Sequence, residues 1–238
     1  MADSLKLAAS AQLRNMATLG GNVLQRTRCT YFRDVSYDNC NKRNPGAGCA
    51  ALEGFNRSHA VLGTSEQCVA TYPGDFAQAL IALDATVEIT GRSGNRSIPF
   101  VGLHKLPENS PQIETTLAAG ELISGFTIPG RWPRSVYLKV RDRQSYEFAL
   151  ASAAVALDVQ DGVVRDARIG LGGVATLPWR AHEAEALLKG QALDEDIARR
   201  AAEAAFEGAR GLKHNTFKIA LGRRVVERAL HVAAAMEV

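Results

Sequence analysis

Four cysteines, Cys29, Cys40, Cys49 and Cys68, are the only thiols in 238 residues, and all fall within one stretch of the first third of the chain. Four thiolates are the usual complement for a structural zinc ion or an iron–sulfur cluster. Their spacing is C-x10-C-x8-C-x18-C. Zinc sites usually draw their ligands from closely spaced cysteine pairs, and no such pair occurs here; the common ferredoxin spacings are absent too. Spacing alone therefore names no metal group. The surroundings are more informative. Arg26, Arg28, Arg33, Lys42 and Arg43 outnumber Asp34 and Asp38, which suits an anionic cluster, and Gly46, Gly48 and Gly54 let the backbone turn closely around it. Two other uses stay open: four reduced cysteines serving as small hydrophobes, or a basic RNA-contacting loop. The second has only Tyr31 and Phe32 as a stacking platform.

A second candidate lies just upstream in "LRNMATLGGNVLQ". Gly20 and Gly21 permit close approach to a planar or phosphorylated ligand, with Thr18 and Asn22 offering hydrogen-bonding groups beside them, although a Gly-Gly-Asn turn also serves simply to join two elements. Asp75 in "YPGDFAQAL" is placed to cap the helix that follows. His59 in "RSHAVLG" has no second histidine nearby and reads as structural.

The elements that must position these residues come in two styles. Residues 15 to 75 are irregular, and a loop that long in a compact domain is usually functional or held by something other than packing. "FAQALIALDATVEITG" predicts a short helix with Ala77, Leu80 and Ile81 on one face, then a strand alternating at Val87 and Ile89. "ELISGFTIPG" predicts another strand, closed by Pro129-Gly130, and a domain boundary is placed near residue 131. Beyond it "SVYLKVRDR", "FALASAAVALDVQDG" and "VVRDARIGLGGVA" predict strands, with Asp161-Gly162 as a hairpin turn. The rest predicts helices: Asp194 caps one, and Asn215 caps the last. In that last helix Phe217, Leu221, Val225 and Ala229 form an apolar stripe, with Arg223, Arg224 and Arg228 on the solvated face. The fold class is thus α+β, ending in a small antiparallel sheet covered by helices.

Composition sets the outer bounds. With 46% apolar and 22% charged residues the chain is an ordinary globular one, and a net charge of +3 gives no footprint for a nucleic-acid partner. No apolar run is long enough for a membrane-spanning helix. "MADSLKLAASAQLRNM" lacks the charged start and apolar core of a signal peptide, so the cytoplasm is the expected compartment and disulfides are the less expected use of the cysteines.

"QLRNMATLGGNVLQRTRC", "CNKRNPGAGCAALEGFNRSHAVLG" and "YPGDFAQALIALDATVEI" together resemble the flavin-binding subunit of the molybdenum hydroxylases, the xanthine dehydrogenase family. The resemblance is strongest to the aldehyde oxidoreductase type, whose flavin subunit also carries a [4Fe-4S] cluster. "VYLKVRDRQSYEFALASAAVAL", "LGGVATLPWRAHEAE" and "NTFKIALGRRVVERAL" extend it to the end of the chain. It implies two domains: residues 1–130, the second subdomain of a PCMH-type FAD-binding domain with the cluster loop over residues 26–70, and residues 131–238, the C-terminal flavin-subunit domain. It also implies roles. Thr18, Leu19, Gly20, Gly21 and Asn22 match the loop along the flavin. Asp75 matches an acidic residue that hydrogen-bonds the cofactor, Leu122 or Ile123 an apolar contact to the ring system, and Lys139 a lysine close to the flavin. Cys29, Cys40, Cys49 and Cys68 match the cluster ligands, and no residue is catalytic.

The expected function is therefore an electron-transfer subunit holding FAD and one [4Fe-4S] cluster. Its expected partners in a heterotrimer are a molybdenum-cofactor subunit, which carries the substrate site, and a [2Fe-2S] subunit; export as a folded complex would follow a partner's signal. The alternative is a non-catalytic iron–sulfur or zinc module for assembly. Family members open with a smaller subdomain whose Gly-rich loop holds the FAD pyrophosphate. No such loop occurs in this sequence, so weak FAD binding by the chain alone is expected.

Overall fold

The computed structural model describes residues 1–237. Four short helices come first: α1 (Ala2–Lys6), α2 (Ala11–Met16), α3 (Leu19–Val23) and α4 (Thr30–Arg33). A long irregular stretch leads to α5 (Phe76–Ala82), then β1 (Thr86–Gly91), β2 (Gly94–Pro99) and β3 (Leu122–Thr127). These strands form an antiparallel sheet in the order β2-β1-β3. A second antiparallel sheet contains β4 (Arg134–Val140), β5 (Ala151–Gln160), β6 (Val163–Gly172) and β7 (Trp179–Arg180), in that order, followed by α6 (His182–Leu188), α7 (Glu195–Ala204) and α8 (Phe217–Ala234). The α+β class and the helix-covered antiparallel sheet are as the sequence predicts.

Local chemistry explains several boundaries. Asp161 and Gly162 both adopt positive φ, 51° and 77°, which is what a two-residue hairpin turn between β5 and β6 requires. Asp194 caps α7 as expected, its carboxylate accepting a 2.8 Å hydrogen bond from the Ile197 N–H. Asn215 does not cap α8. Thr216 holds the N-cap position, while the Asn215 side chain donates to the carbonyls of His59 and Ala60 and accepts from the Leu212 N–H. The buried face of α8 is also rotated from the expected stripe. Val225 and Ala229 are buried as predicted, but Phe217 is exposed and Lys218, Gly222, Val226, Leu230 and Ala233 complete the inward face. Arg223, Arg224 and Arg228 lie in solvent.

Strand β5 is buried at every position from Ala151 to Leu157, because α8 covers one face of the sheet and α5 approaches the other. The α5 approach is close: a Cβ on Gly170 of β6 would sit 2.4 Å from the Gln78 carbonyl oxygen. The irregular stretch is anchored to the same sheet. Val61 and Leu62 donate to the Val174 carbonyl at 2.8 and 3.0 Å, and both side chains enter the core formed by β5, β6 and α8. No helix among the described residues is long and apolar enough to cross a membrane.

Candidate functional site

The glycine pair lies in α3. Thr18 is the N-cap, its hydroxyl accepting from the Gly21 N–H at 3.0 Å. Gly20 faces β3 so closely that a Cβ there would lie 3.3 Å from Ile123 Cβ. The two predicted ring-contact segments, residues 18–22 and 122–123, are therefore neighbours. Leu19 and Leu122 are exposed at 46% and 71%, a large apolar surface for two leucines on adjacent elements. Asn22 is the polar member of the group. Its Oδ1 is buried and has no hydrogen-bond partner among the described residues.

Asp75 occupies the N-cap position of α5 without capping it. Its carboxylate instead accepts from the Tyr137 hydroxyl at 2.6 Å and from Lys139 Nζ at 2.8 Å. The Asp75 and Lys139 side chains are only 5% and 1% exposed. Burial pushes the Asp75 carboxyl above its ordinary range, with Lys139 and Tyr137 pulling it back. Lys139 also donates to the Leu7 carbonyl at 3.0 Å, tying the segment after α1 to β4. The sequence marks Asp75 and Lys139 separately; the fold makes them a pair.

A cleft of about 310 Å³ has both Asn22 and Asp75 in its wall. Arg28, Arg143, Tyr146 and Phe148 complete its rim. Sequence reasoning missed Arg143, Tyr146 and Phe148, and marked Arg28 only as a cation of the cysteine loop. The one detectable signal was the aromatic pair in "QSYEF"; Tyr146 is held at a φ of 56°, unusual for a bulky residue, and is 55% exposed. The other predicted positions, Thr18, Leu19, Gly20, Gly21, Leu122, Ile123 and Lys139, support α3, β3 and Asp75 but do not line this cleft. A buried unpaired acceptor and aromatic side chains in one cleft fit a large planar group with its own hydrogen-bond donors, which is the chemistry of a flavin.

The cleft shares Arg28, Pro73, Glu147 and Phe148 with a second one of about 260 Å³, whose wall includes Cys29 and His59. This is the edge of the cysteine loop. Cys40 and Cys49 face each other as an isolated antiparallel bridge, and Cys68 bridges Ser65 in the same way. Asn41 organises the turn between them: its amide donates to Gln67 and its carbonyl accepts from the Gly48 N–H at 2.8 Å. None of the four cysteines is in a disulfide, and Cys29, Cys40 and Cys68 are buried. Burial pushes the Cys29 thiol up to about 11, opposed by the N–H groups of Phe32 and Tyr31, with charge on Cys68 and Cys49 adding to the rise. The Cys68 thiol is raised by burial too, with Lys42 opposing and Cys49 and Cys40 adding. Cys29 is thus close enough to feel charge on Cys68 and Cys49, and Cys68 to feel charge on Cys49 and Cys40. Yet among the described residues no three His, Cys, Asp or Glu side chains converge on a position for a single metal ion.

The basic residues of the loop are largely committed elsewhere. Arg43 donates to the Tyr31 and Phe32 carbonyls at 3.0 and 2.9 Å, and Arg33 to Thr27 at 2.9 Å. Arg26 and Lys42 both pair with Glu114. Arg28 lies over the Phe148 ring at 5.1 Å. Of the five cations expected to offset an anionic group, four are used as staples. His59, read from sequence as structural, sits with Nε2 3.1 Å from Cys29 Sγ.

Residues 1–131 match the family of FAD binding domains in molybdopterin dehydrogenase, and residues 136–233 match the CO dehydrogenase flavoprotein C-terminal domain. The chain belongs to the FAD-binding subunits of the molybdenum hydroxylases, a class of oxidoreductase complexes. Among individual proteins it is 47% identical over 236 residues to the aldehyde oxidoreductase FAD-binding subunit PaoB of Escherichia coli (strain K12), covering 98% of this chain and 70% of PaoB. It is 25% identical over 188 residues to the xanthine dehydrogenase FAD-binding subunit of Escherichia coli O157:H7, covering 74% of this chain and 60% of that one. In three dimensions it is similar to quinoline 2-oxidoreductase from Pseudomonas putida 86 (TM-score 0.67, 25% identity, 98% of this chain and 65% of that one). It shares the fold of carbon monoxide dehydrogenase from Hydrogenophaga pseudoflava (TM-score 0.70, 24% identity, 98% and 66%). The chain thus spans 60–70% of the length of these proteins.

Proposed function

We propose that this chain is the electron-transfer subunit of a molybdenum-dependent aldehyde oxidoreductase, holding FAD against the Asn22–Asp75 cleft and a [4Fe-4S] cluster on Cys29, Cys40, Cys49 and Cys68. The observation that carries the reading is the juxtaposition of the two sites, since the flavin cleft and the space beside Cys29 share the wall formed by Arg28, Pro73, Glu147 and Phe148. Four free thiols, with Cys29 and Cys68 both raised in part by charge on neighbouring cysteines, but no single-ion site among the described residues, suit a ligand larger than a single ion. The likeness to PaoB supports the aldehyde class of reaction.

FAD, when bound, supplies the capacity to accept and release electrons one or two at a time. The chain's own contribution is to bind and orient. Asn22 offers a buried acceptor, the Lys139–Asp75–Tyr137 array fixes the cleft floor, and Tyr146 and Phe148 present aromatic surface at its rim. We assign the substrate site to a molybdenum-cofactor partner chain and the remaining iron–sulfur centres to a [2Fe-2S] partner, forming a heterotrimer in the cytoplasm. We take residues 1–130 and 131–238 as the two domains. Purification with these partners tests the assignment. The complex should reduce a dye when given aldehyde, while this chain alone should not; turnover by the chain alone, unchanged by added partner, would refute it.

A further inference from the structure

We infer that His59 is a positioning residue that donates its Nε2–H to Cys29 Sγ and raises the reduction potential of the group bound there; the inference rests on the cluster reading above. The contact is 3.1 Å between two buried side chains, 3% and 9% exposed. A cluster-bound cysteine sulfur carries no proton, so the proton of the pair must sit on Nε2, and Nδ1 is then the bare ring nitrogen. Nδ1 is buried and has no partner among the described residues. An apolar side chain of similar size would avoid that unpaired atom, so a histidine here points to a use for its other nitrogen.

The surrounding structure fixes the His59 main chain in place. The His59 N–H donates to the Asn56 carbonyl at 3.0 Å. Its carbonyl accepts from Lys218 Nζ at 3.1 Å and from Asn215 Nδ2 at 3.2 Å. Lys218 is fully buried, has no carboxylate partner among the described ion pairs, and also donates to Ser58 at 2.9 Å and Gly173 at 2.7 Å. The next residue, Ala60, donates to the Val69 carbonyl beside Cys68. On the other side of the contact, the Cys29 N–H donates to Thr27 Oγ1 at 3.2 Å. Lys218 of α8 and Asn215, just before that helix, are therefore spent on holding one histidine backbone. A donor aimed at a cluster sulfur stabilises the more negative, reduced form, and hydrogen bonding to the sulfurs is one of the levers that set these potentials.

The test is a redox titration of the anaerobically purified full chain, following the reduced-cluster EPR signal in wild type, His59→Leu and His59→Gln, with iron and sulfide measured in each. Loss of the donor in His59→Leu should lower the reduced-to-oxidised ratio at fixed ambient potential about tenfold, which for a one-electron couple is about 59 mV. His59→Gln, which keeps a side-chain N–H, should recover part of that shift. Wild-type potential in a fully loaded His59→Leu protein would overturn the inference and leave the cluster reading intact, whereas wild type without iron and sulfide would remove both. Should His59→Leu fail to hold iron, pulsed EPR of wild type grown on ¹⁵N-histidine decides the matter. A histidine nitrogen coupling supports the contact, and its absence overturns it.

Discussion

Replacing Lys139 with Met removes the only cation paired with the Asp75 carboxylate among the described residues, in a place where both side chains are buried. The methionine fills similar volume, so the perturbation is electrostatic. What remains on Asp75 is the Tyr137 hydroxyl at 2.6 Å, and the Leu7 carbonyl keeps only the longer contact from Arg141 at 3.4 Å. Breaking a buried pair by deleting one partner typically costs about 3–5 kcal/mol, because an uncompensated charge is left behind. The sign of the pH dependence follows from the raised Asp75 carboxyl. The folded state holds that proton more tightly than the unfolded chain, so the stabilisation is present at low pH and is lost as pH rises through the raised folded value. Lys139 opposes the rise, and its removal moves that value further up. The Lys139→Met deficit should therefore be larger at about pH 8 than at about pH 5, because acidification favours the protonated, neutral Asp75. Asp75→Asn combined with Lys139→Met removes both charges and should recover about half or more of the loss, a coupling that a double-mutant cycle measures directly. Urea unfolding followed by circular dichroism at both pH values is the assay. A Lys139→Met protein within about 0.5 kcal/mol of wild type at the higher pH, or no recovery in the double variant, would refute the reasoning.

Asn22→Ala should weaken FAD binding about tenfold, the loss of a hydrogen bond of about 1 kcal/mol or slightly more, without lowering stability, since the removed oxygen has no partner among the described residues; calorimetry with FAD and unfolding measurements check the two halves. Gly20→Ala should weaken FAD binding by displacing α3 from Ile123, and an unchanged affinity would show that this close approach does not shape the site. Asp194→Ala should cost about 1 kcal/mol through loss of the α7 cap, read by urea unfolding. Cys40→Ser should lose bound iron and render residues 26–70 sensitive to protease, because binding energy in such a loop is also folding energy.

Features set by local chemistry were legible in the sequence. The Asp161-Gly162 turn requires two positive φ values that these residues tolerate, and the Asp194 cap needs only an oxygen three residues before a free N–H. Features set by distant partners were not. Asn215 reads as a cap but satisfies two carbonyls more than 150 residues earlier in the chain. No local signal marks Lys218, which is fully buried because Ser58, His59 and Gly173 present three carbonyls to it. The rotated face of α8 follows from the same burial. Within the candidate site, Asn22 and Asp75 were found through their motifs, while Tyr146 and Phe148, from the segment after β4, meet Pro73 and Asn22 in the cleft only through the tertiary fold. The basic loop shows the opposite error: its arginines and lysine suggested electrostatic compensation, yet most are tied to carbonyls and to Glu114.

The central claim is that one chain holds a flavin and an iron–sulfur cluster across a shared wall. Cofactor content after anaerobic purification with partners, resolved by subunit, tests it most directly. The account predicts FAD together with four iron and four acid-labile sulfide on this chain, and loss of the iron but not of the flavin cleft in Cys40→Ser. Stoichiometric zinc with no sulfide, or a chain that carries flavin and no metal when its four cysteines are intact, would contradict it.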